Sequence, residues 1–405
     1  MIEKRRRQDD DDDLATFIGL LPITPSTSEP EETDELGRTI PKPNPANERR
    51  QRRVERTARR QLRSSRRTKP PLDEDEEGYS TDASLAAPDA SAYTAAMQDL
   101  ASRRKGVLAD VKAEEFKDPG KGRWSVWREK YSDSYIGAWG GLGVVSVWEF
   151  WVRLECVGWD CIEVGPLLSV FSLFDSNVYY LFRQNQQTLH SFKWYKGLYE
   201  YCRPGDEDKV VEERELGPDG DLVTSMISTA VIPLICKLVE GGALDVYSSR
   251  HIRRMVDLAE EVEASVEQGG GKFQVRSRNP LTWIVCLVNV FALFIFWQTL
   301  LKSVAGCFQA AISATEESVV KYTQTLGQQS RVAGFNPDAI PARRQFLNRR
   351  VKLVENLLRW RKYTGERFGL GMMLARLIER SVVPVAEGGW EIGGEDIVRK
   401  VSEHI

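Results

Sequence analysis

The residues able to bind a metal ion or act as nucleophiles are few and scattered. The cysteines are Cys156, Cys161, Cys202, Cys236, Cys286 and Cys307, and no two of them form a CxxC pair. The histidines are His190, His251 and His404, and they stand far from any group of cysteines. Zinc sites need closely spaced Cys and His ligands, so this pattern does not predict one. We interpret the cysteines within apolar stretches as small core residues in a reducing compartment.

Motifs of the common enzyme classes are also missing from the sequence. The glycine clusters at 140–143 and 269–271 lack the GxxxxGK[ST] spacing of a phosphate-binding loop. Neither GxSxG nor HExxH occurs, which argues against the commoner hydrolases and zinc proteases. His190 and His251 have no evident Ser, Cys or Asp partner for catalysis. The sequence therefore favours a binding protein that is not an enzyme and needs no cofactor.

Arginine offers the clearest chemistry in the chain, because guanidinium groups bind the phosphate oxygens of nucleic acids. Ten arginines lie between residues 49 and 67. Such a run is typical of a solvated basic helix, of a nuclear-import signal, or of a sequence-blind contact with RNA or DNA. The candidate contacts in this run are Arg49, Arg50, Arg52, Arg53, Arg56, Arg59 and Arg60.

A second basic set belongs to a predicted amphipathic helix at residues 341–363. Apolar residues at helical spacing, such as Phe346, Val354 and Leu358, define its buried side. The basic side is typical of a solvated surface, and the alternative is a dedicated site for phosphate or a protein partner. The candidate contacts on this helix are Arg343, Arg344, Arg349, Arg350 and Lys352.

Residues 1–89 have the composition of a disordered arm. The net charge of the whole chain is only −3, but here the charges come in blocks, such as Lys4–Arg7, Asp9–Asp13 and the acidic residues at 73–77. Blocks of like charge repel one another and keep a chain extended. The apolar patch Leu14–Leu21 is too short for a domain, and we interpret it as a docking motif. The first residues lack the apolar core of a secretory signal.

The most aromatic stretch, Arg123–Asp160, contains six of the eleven tryptophans. Five aromatic residues from Trp124 to Trp139 follow helical spacing, so we expect one helix with its aromatic face in the core. The glycines from Gly140 to Gly143 predict a break in that helix, and a second apolar face follows them. We interpret the stretch as a helical hairpin that anchors a core, rather than as a platform for stacking bases.

Further helical patterns follow, and no strand pattern of comparable length competes with them. The predicted fold is all-α, with helical hairpins stacked into a repeat-like bundle over residues 90–405. We expect Pro233 to kink one helix and Pro384 to end another. The other predicted helices cover residues 90–105, 107–117, 188–202, 222–238, 248–266, 280–325, 366–383 and 393–402.

Two segments fit this scheme less well. Leu281–Leu301 contains no charged residue and is long enough to cross a bilayer. A fully buried helix is the alternative, favoured by Asn289 and by the amphipathic character of the rest of the chain. Residues 162–187 show little helical periodicity, and we interpret them as an insertion.

An ordered series of segments runs over about residues 78–395. The segments are GYSTD at 78–82, WREKYSDSYIGAWGGLGVVSVWEFWVRLE at 127–155, FKWYKGLYEYC at 192–202, LVTSMISTAVIPLICKLVEGGALDVYSSRHIRRMVDLAEEV at 222–262, FLNRRVKLVENLLRWRK at 346–362 and VVPVAEGGWEIGG at 382–394. This series resembles the GC-rich sequence DNA-binding factor family, and the upstream DELGRTIP and the arginine run are similar to the linker of that family. The resemblance depends on the order of many segments rather than on one short motif.

The resemblance implies a nuclear, all-α scaffold of pre-mRNA splicing, acting in the late complexes in which a helicase and its G-patch activator take the spliceosome apart. The implied partners are spliceosomal proteins, among them a G-patch protein of the tuftelin-interacting type. The family name implies an alternative, a transcription regulator that binds GC-rich DNA, but no helix-turn-helix, zinc finger or basic zipper is visible. A membrane-anchored adaptor through Leu281–Leu301 is the remaining alternative.

Overall fold

The computed structural model shows a helical protein. Within the residues it describes there is no strand, so the all-α prediction is confirmed. The described residues are 11, 14, 87–107, 122–159, 161–162, 188–203, 216–217, 219–270, 280–329, 339–387 and 394–403.

Several predictions concern residues outside this set. They include the disordered arm with Arg49–Arg60, the predicted helix at 107–117 beyond its first residue, and nearly all of the insertion at 162–187. These stay predictions, as does the domain boundary near residue 90.

The chain divides into two compact units. The first, which we name the hairpin unit, comprises Ala83–Asp245 and Arg250–Phe308. The second, which we name the C-terminal unit, comprises Met1–Asp82, Val246–Ser249 and Gln309–Ile405.

The hairpin unit has a core rich in aromatic residues. Helix α4 (Gly140–Glu155) packs against α5 (Lys193–Cys202), α6 (Leu222–Met226) and the π turn that follows α6, and α5 packs against α6. Trp148 of α4 and Trp194 of α5 are fully buried there. The helices that begin before residue 250 are α1 (Ala87–Gly106), α2 (Arg123–Lys130), α3 (Ser132–Gly137), α4 (Gly140–Glu155), α5 (Lys193–Cys202), α6 (Leu222–Met226), α7 (Ile232–Glu240) and α8 (Ser249–Gly270).

The long helix α9 (Pro280–Gln329) contributes residues to both units. In the C-terminal unit, α10 (Ala339–Thr364) packs against α11 (Leu370–Leu377) and α13 (Gly394–Glu403), and α12 (Val383–Glu387) packs against α13. Arg376 of α11 donates from Nε to Oε1 of Glu316 in α9 at 2.6 Å, which ties these helices together. The helices after α9 are α10 (Ala339–Thr364), α11 (Leu370–Leu377), α12 (Val383–Glu387) and α13 (Gly394–Glu403).

Each unit contains a π turn directly before a helix that carries proline near its start. Ile227–Val231 precedes Pro233, and Ile378–Val382 precedes Pro384. Proline lacks an N–H, and its ring collides with the carbonyl four residues earlier, so the wider π turn removes the collision. The irregularity predicted at Pro233 takes this form. The prediction that a helix ends at Pro384 is wrong, because α12 continues to Glu387.

The break in the aromatic hairpin lies before the glycines rather than at them. The turn ends at Trp139, and Gly140 already begins α4. A Cβ atom on Gly140 would lie 2.2 Å from a ring carbon of Tyr135, and one on Gly143 would lie 3.0 Å from the ring of Trp124. These glycines therefore allow close packing within the hairpin, and the predicted glycine turn is wrong.

Among the described residues, one helical stretch, Leu222–Glu240, is long and apolar enough to cross a membrane, with a mean hydropathy of 2.0. Its apolar window is 72% buried within the protein, which is typical of a core helix. The segment Leu281–Leu301 lies within α9, and its described side chains include buried Trp297 and Leu300. The side chains of residues 281–294 lie outside the described set, so the choice between a buried helix and a span stays a prediction.

Candidate partner-binding surface

Helices α2 to α4 expose many large apolar side chains. Seven of the twelve exposed large apolar residues in the described part of the chain lie between residues 123 and 155. Exposed apolar residues that form one patch mark sites of interaction with other molecules. These seven residues follow one another along α2 to α4 and the turns between them. We name this set the hairpin face, and its members are Val126, Tyr131, Ile136, Trp139, Leu142, Val147 and Phe150.

Trp139 stands in the turn between α3 and α4 with a strained backbone. Its φ of 57° and ψ of 45° place it in the left-handed region, which costs a non-glycine residue roughly 1–2 kcal/mol. The backbone is held there because its N–H donates to the Ile136 carbonyl at 3.1 Å and its carbonyl accepts from Gly143 N at 3.1 Å. The indole is nevertheless 43% exposed. Strain that is kept at an exposed aromatic residue points to a functional role.

The exposure arises because the predicted single helix is interrupted at Tyr131. Its φ of −131° and ψ of 51° separate α2 from α3. Of the predicted aromatic face, Tyr135 is buried, whereas Tyr131 and Trp139 are exposed. The core prediction is thus right for Tyr135 and wrong for Tyr131 and Trp139, while Trp124 and Trp127 are partly buried. Ser132 and Asp133, residue types that favour helix starts, are the sequence signal that could have revealed the interruption.

A polar cluster connects the hairpin to the core of the hairpin unit. Arg128 of α2 donates from Nη1 to the Tyr201 carbonyl at 2.8 Å, and its guanidinium lies 3.9 Å from the centre of the Tyr201 ring. The same nitrogen lies 3.4 Å from Oδ2 of Asp219. The hydroxyl groups of Tyr135 and Tyr201 are 3.0 Å apart. These contacts join α2 and α3 to α5, so they fix the hairpin on the core.

The electrostatics of this cluster suit a structural role. Burial raises the pKa of the Tyr135 phenol well above its ordinary value, with Tyr201 and Asp219 adding to the effect. Burial also raises the pKa of the Asp219 carboxyl, while the nearby Arg128 opposes that rise. A phenol with so high a pKa keeps its proton near neutral pH, so it serves as a hydrogen-bond partner.

The thiol and imidazole groups are used in packing. Burial raises the pKa of Cys156 and of Cys202 to about 12, which keeps both thiols protonated and poorly nucleophilic. The His190 ring meets the Tyr195 ring edge-on at 4.7 Å. His251 accepts a hydrogen bond at Nδ1 from the Asp245 backbone N–H at 3.2 Å. Across the described residues, no three His, Cys or acidic side chains are grouped so that they could hold a metal ion.

The predicted basic contacts on α10 do not form one solvated face. Arg349 and Arg350 are 0% and 1% exposed, and both have interactions within the protein. Arg350 donates from Nη1 to the Phe346 carbonyl at 2.9 Å. Burial removes these two arginines from the surface in this structure. Arg344 is exposed, and Arg343 and Lys352 are partly exposed, so a contact through these three stays a prediction.

Comparison with known proteins gives one partial similarity. No family profile matches the chain. A curated protein of Arabidopsis thaliana named transcriptional repressor ILP1 is 27% identical over 136 residues. The matched stretch is 34% of this chain and 12% of that protein, so the chain is similar to a small part of the plant repressor.

Proposed function

We propose that this chain is a nuclear, non-enzymatic scaffold that binds a protein partner through the hairpin face and acts in pre-mRNA splicing. The observation that carries the proposal is Trp139, a large aromatic residue held exposed in a strained conformation. Tyr131 and Phe150 belong to the same set of exposed apolar residues and are 63% and 55% exposed. Tryptophan and tyrosine are the residues that most often dominate the energy of protein interfaces.

The gain from covering this face is large enough for recognition. Fully burying a side chain such as Phe contributes about 1.5–3 kcal/mol, so completing the burial of the half-exposed Phe150 contributes roughly 1 kcal/mol. Seven such side chains lie on helices that pack on one another, and the buried cluster around Arg128 holds them in place. A partner therefore meets a preorganised surface, and little ordering entropy opposes binding.

The resemblance to the GC-rich sequence DNA-binding factor family supports a role in late spliceosomal complexes and a G-patch partner of the tuftelin-interacting type. The name of the Arabidopsis relative agrees with a nuclear role in gene expression. We propose an apolar or amphipathic helix of such a splicing protein as the occupant of the hairpin face, because exposed apolar residues on helices suit a helix that packs along them.

The test is affinity purification from nuclear extract, followed by mass spectrometry and detection of small nuclear RNA. We expect the wild-type chain to recover spliceosomal proteins, and the double variant Trp139→Ser/Phe150→Asp to lose them. Met372→Asp is the matched control, because Met372 is 80% exposed and lies in the C-terminal unit. Absence of spliceosomal proteins from the wild-type sample contradicts the splicing role, and equal recovery by the double variant contradicts the use of the hairpin face.

A second candidate function, a DNA-binding regulator of transcription, is favoured by the name of the plant relative and by the arginine run. Each phosphate neutralised contributes about 0.9 to the slope of log affinity against log salt. Binding to a GC-rich duplex that exceeds binding to a scrambled duplex at ~150 mM salt supports this candidate. Salt-sensitive binding that ignores the DNA sequence counts against this candidate. Replacing the arginines between Arg49 and Arg60 by glutamine measures their share of the slope of log affinity against log salt.

A further inference from the structure

Leu14 lies far from α9 to α13 in sequence but is buried against them. It is only 6% exposed and packs in a cluster with residues of α9, α10 and α12. Val398 of α13 packs against the same cluster. We name this site the Leu14 groove, and its buried walls are Val319, Tyr322, Phe346, Leu347, Val385 and Ala386.

The walls of the Leu14 groove contact one another. The rings of Tyr322 and Phe346 stack with their centres 5.3 Å apart and their planes 20° apart, which joins α9 to α10. The guanidinium of Arg350 lies 3.3 Å from the centre of the Phe346 ring. The groove is therefore built by helices that hold one another through aromatic contacts, with a positive charge against one wall.

The charge around Leu14 complements this site. Asp11 is helical, as Leu14 is, and Oδ1 of Asp11 lies 3.8 Å from Nζ of Lys321 in α9. The carboxylate of Asp11 and the side chain of Leu14 therefore both contact the C-terminal unit. Asp11 and Lys321 are 65% and 64% exposed, so the ion pair sets orientation more than affinity. In the sequence, Asp11 is the centre of five consecutive aspartates.

We propose that Asp11 and Leu14 form an intramolecular ligand of the C-terminal unit, so that the Leu14 groove is a receptor for an acidic helical turn of the pattern Asp-x-x-Leu. Leu14 supplies apolar burial, and Asp11 selects the orientation through Lys321. Leu14 thereby occupies the groove in cis, and the two residues attach this part of the chain to the C-terminal unit.

The ligand is tethered to its receptor, so a free copy of the segment competes at a disadvantage. Tethering supplies an effective concentration that a peptide in solution must exceed. A chain whose own segment cannot dock leaves the groove accessible to the peptide. Tighter binding of the peptide to the chain whose own segment cannot dock distinguishes a segment that binds reversibly from one that is a permanent part of the core.

The experiment measures binding of a fluorescent peptide with residues 7–21, RQDDDDDLATFIGLL, to full-length protein by anisotropy. We expect saturable binding to the Leu14→Asp chain that is at least about tenfold tighter than binding to the wild type. Met372→Asp is the matched control and behaves as the wild type does. A peptide that itself carries Leu14→Asp binds none of the three proteins. Equal affinity for the wild-type and Leu14→Asp chains, or no saturable binding to either, overturns the proposal.

A charge-reversal cycle tests the orientation without relying on Leu14→Asp alone. In the Leu14→Asp background, Lys321→Asp weakens peptide binding about two- to fivefold at low salt, as expected for an exposed ion pair. A peptide with Asp11→Lys recovers that loss. If the reversed pair does not recover affinity, the assignment of Asp11 and Lys321 is overturned. Circular dichroism of each variant shows that the helices are intact.

Discussion

The hairpin face and the Leu14 groove are apolar surfaces on helices of the same chain, and they differ in what covers them. The hairpin face exposes Tyr131, Trp139 and Phe150, whereas the groove buries Leu14 from a distant part of the sequence. Both surfaces rest on aromatic residues that are buried or stacked beneath them. Apolar character alone therefore does not decide whether a surface is a core or a docking site. A covering segment of the chain decides it.

The largest effect is expected from Phe346→Ala, which removes one wall of the Leu14 groove. Phe346 is fully buried and stacks on Tyr322, so its loss is expected to destabilise the C-terminal unit by about 3–5 kcal/mol. Hydrogen exchange of α10 peptides measures the change. Val320→Ala is the control, because Val320 is 54% exposed, and a change within about 0.5 kcal/mol is expected there. Comparable effects of the two variants would contradict the burial of Phe346.

Gly140→Ala is the corresponding change on the hairpin side. The new Cβ would lie 2.2 Å from the Tyr135 ring, so the hairpin must shift, at an expected cost of about 1–3 kcal/mol. Denaturant unfolding followed by tryptophan fluorescence measures the cost. Gly137→Ala is the control, since no atom lies within 4 Å of its added Cβ, and it is expected to leave stability unchanged or raise it slightly. A neutral Gly140→Ala variant would refute the close packing of Gly140 on Tyr135.

Asp221→Ala removes the cap of α6, on which α4 packs. The Asp221 carboxylate accepts hydrogen bonds from Val223 N at 3.0 Å and Thr224 N at 3.2 Å. Loss of such a cap is expected to cost about 1–2 kcal/mol of unfolding free energy. Asp221→Asn retains an oxygen at the same place and is expected to recover most of the loss in thermal unfolding. Failure of Asn to recover stability would show that the cap is not the cause.

Asp221 also makes the unfolding free energy of the hairpin unit depend on pH. Burial raises the pKa of Asp221 above its ordinary value of 3.8, so the folded protein binds this proton more tightly than the unfolded chain does. Stability is therefore lost as pH rises from about 3.8 through the folded pKa. Asp219, whose pKa is also raised, contributes in the same direction. We expect a shallower fall in Asp221→Asn across this range, measured as unfolding free energy against pH; an unchanged slope would exclude Asp221 as its source.

The smallest effect on stability is expected for Trp139→Gly, which separates folding from binding on the hairpin face. Glycine relieves the left-handed strain, so the unfolding free energy is expected to change by no more than about 1 kcal/mol. Recovery of protein partners from nuclear extract is expected to fall, because the exposed indole is gone. Trp139→Ala also lacks the indole but keeps the strain, so it is expected to be the less stable of the two. Unchanged recovery by both variants would remove Trp139 from the proposed interface.

Much of the helical arrangement could be predicted from periodicity. The helix predicted at 248–266 is observed as Ser249–Gly270, and that predicted at 341–363 as Ala339–Thr364. Amphipathic spacing over several turns is a local signal and needs no knowledge of neighbours. Positions at which a helix departs from regular geometry were harder to predict. The π turn before Pro384 lets a helix continue where proline predicts an end, because the wider turn removes the collision of the proline ring with the carbonyl four residues earlier.

Which residues of the candidate site are exposed was less predictable from local spacing. Tyr131 and Trp139 carry the spacing of a core face, but the interruption at Tyr131 places both at the surface. Arg349 and Arg350 carry the charge of a solvated face, but tertiary contacts bury them. Spacing predicts which residues share a helix face only while one helix continues. Charge predicts exposure only where no partner within the fold compensates it.

Local sequence patterns were enough to predict the helical class and most helix positions. They also show the charged character of the first residues and the short apolar patch Leu14–Leu21, which we interpreted as a docking motif. Only the tertiary structure decided where Leu14 docks, and which of two aromatic surfaces is left exposed. The reason is physical. Helix formation is governed by residues three and four apart, whereas burial is governed by contacts between residues that are distant in sequence and meet only when the chain has folded.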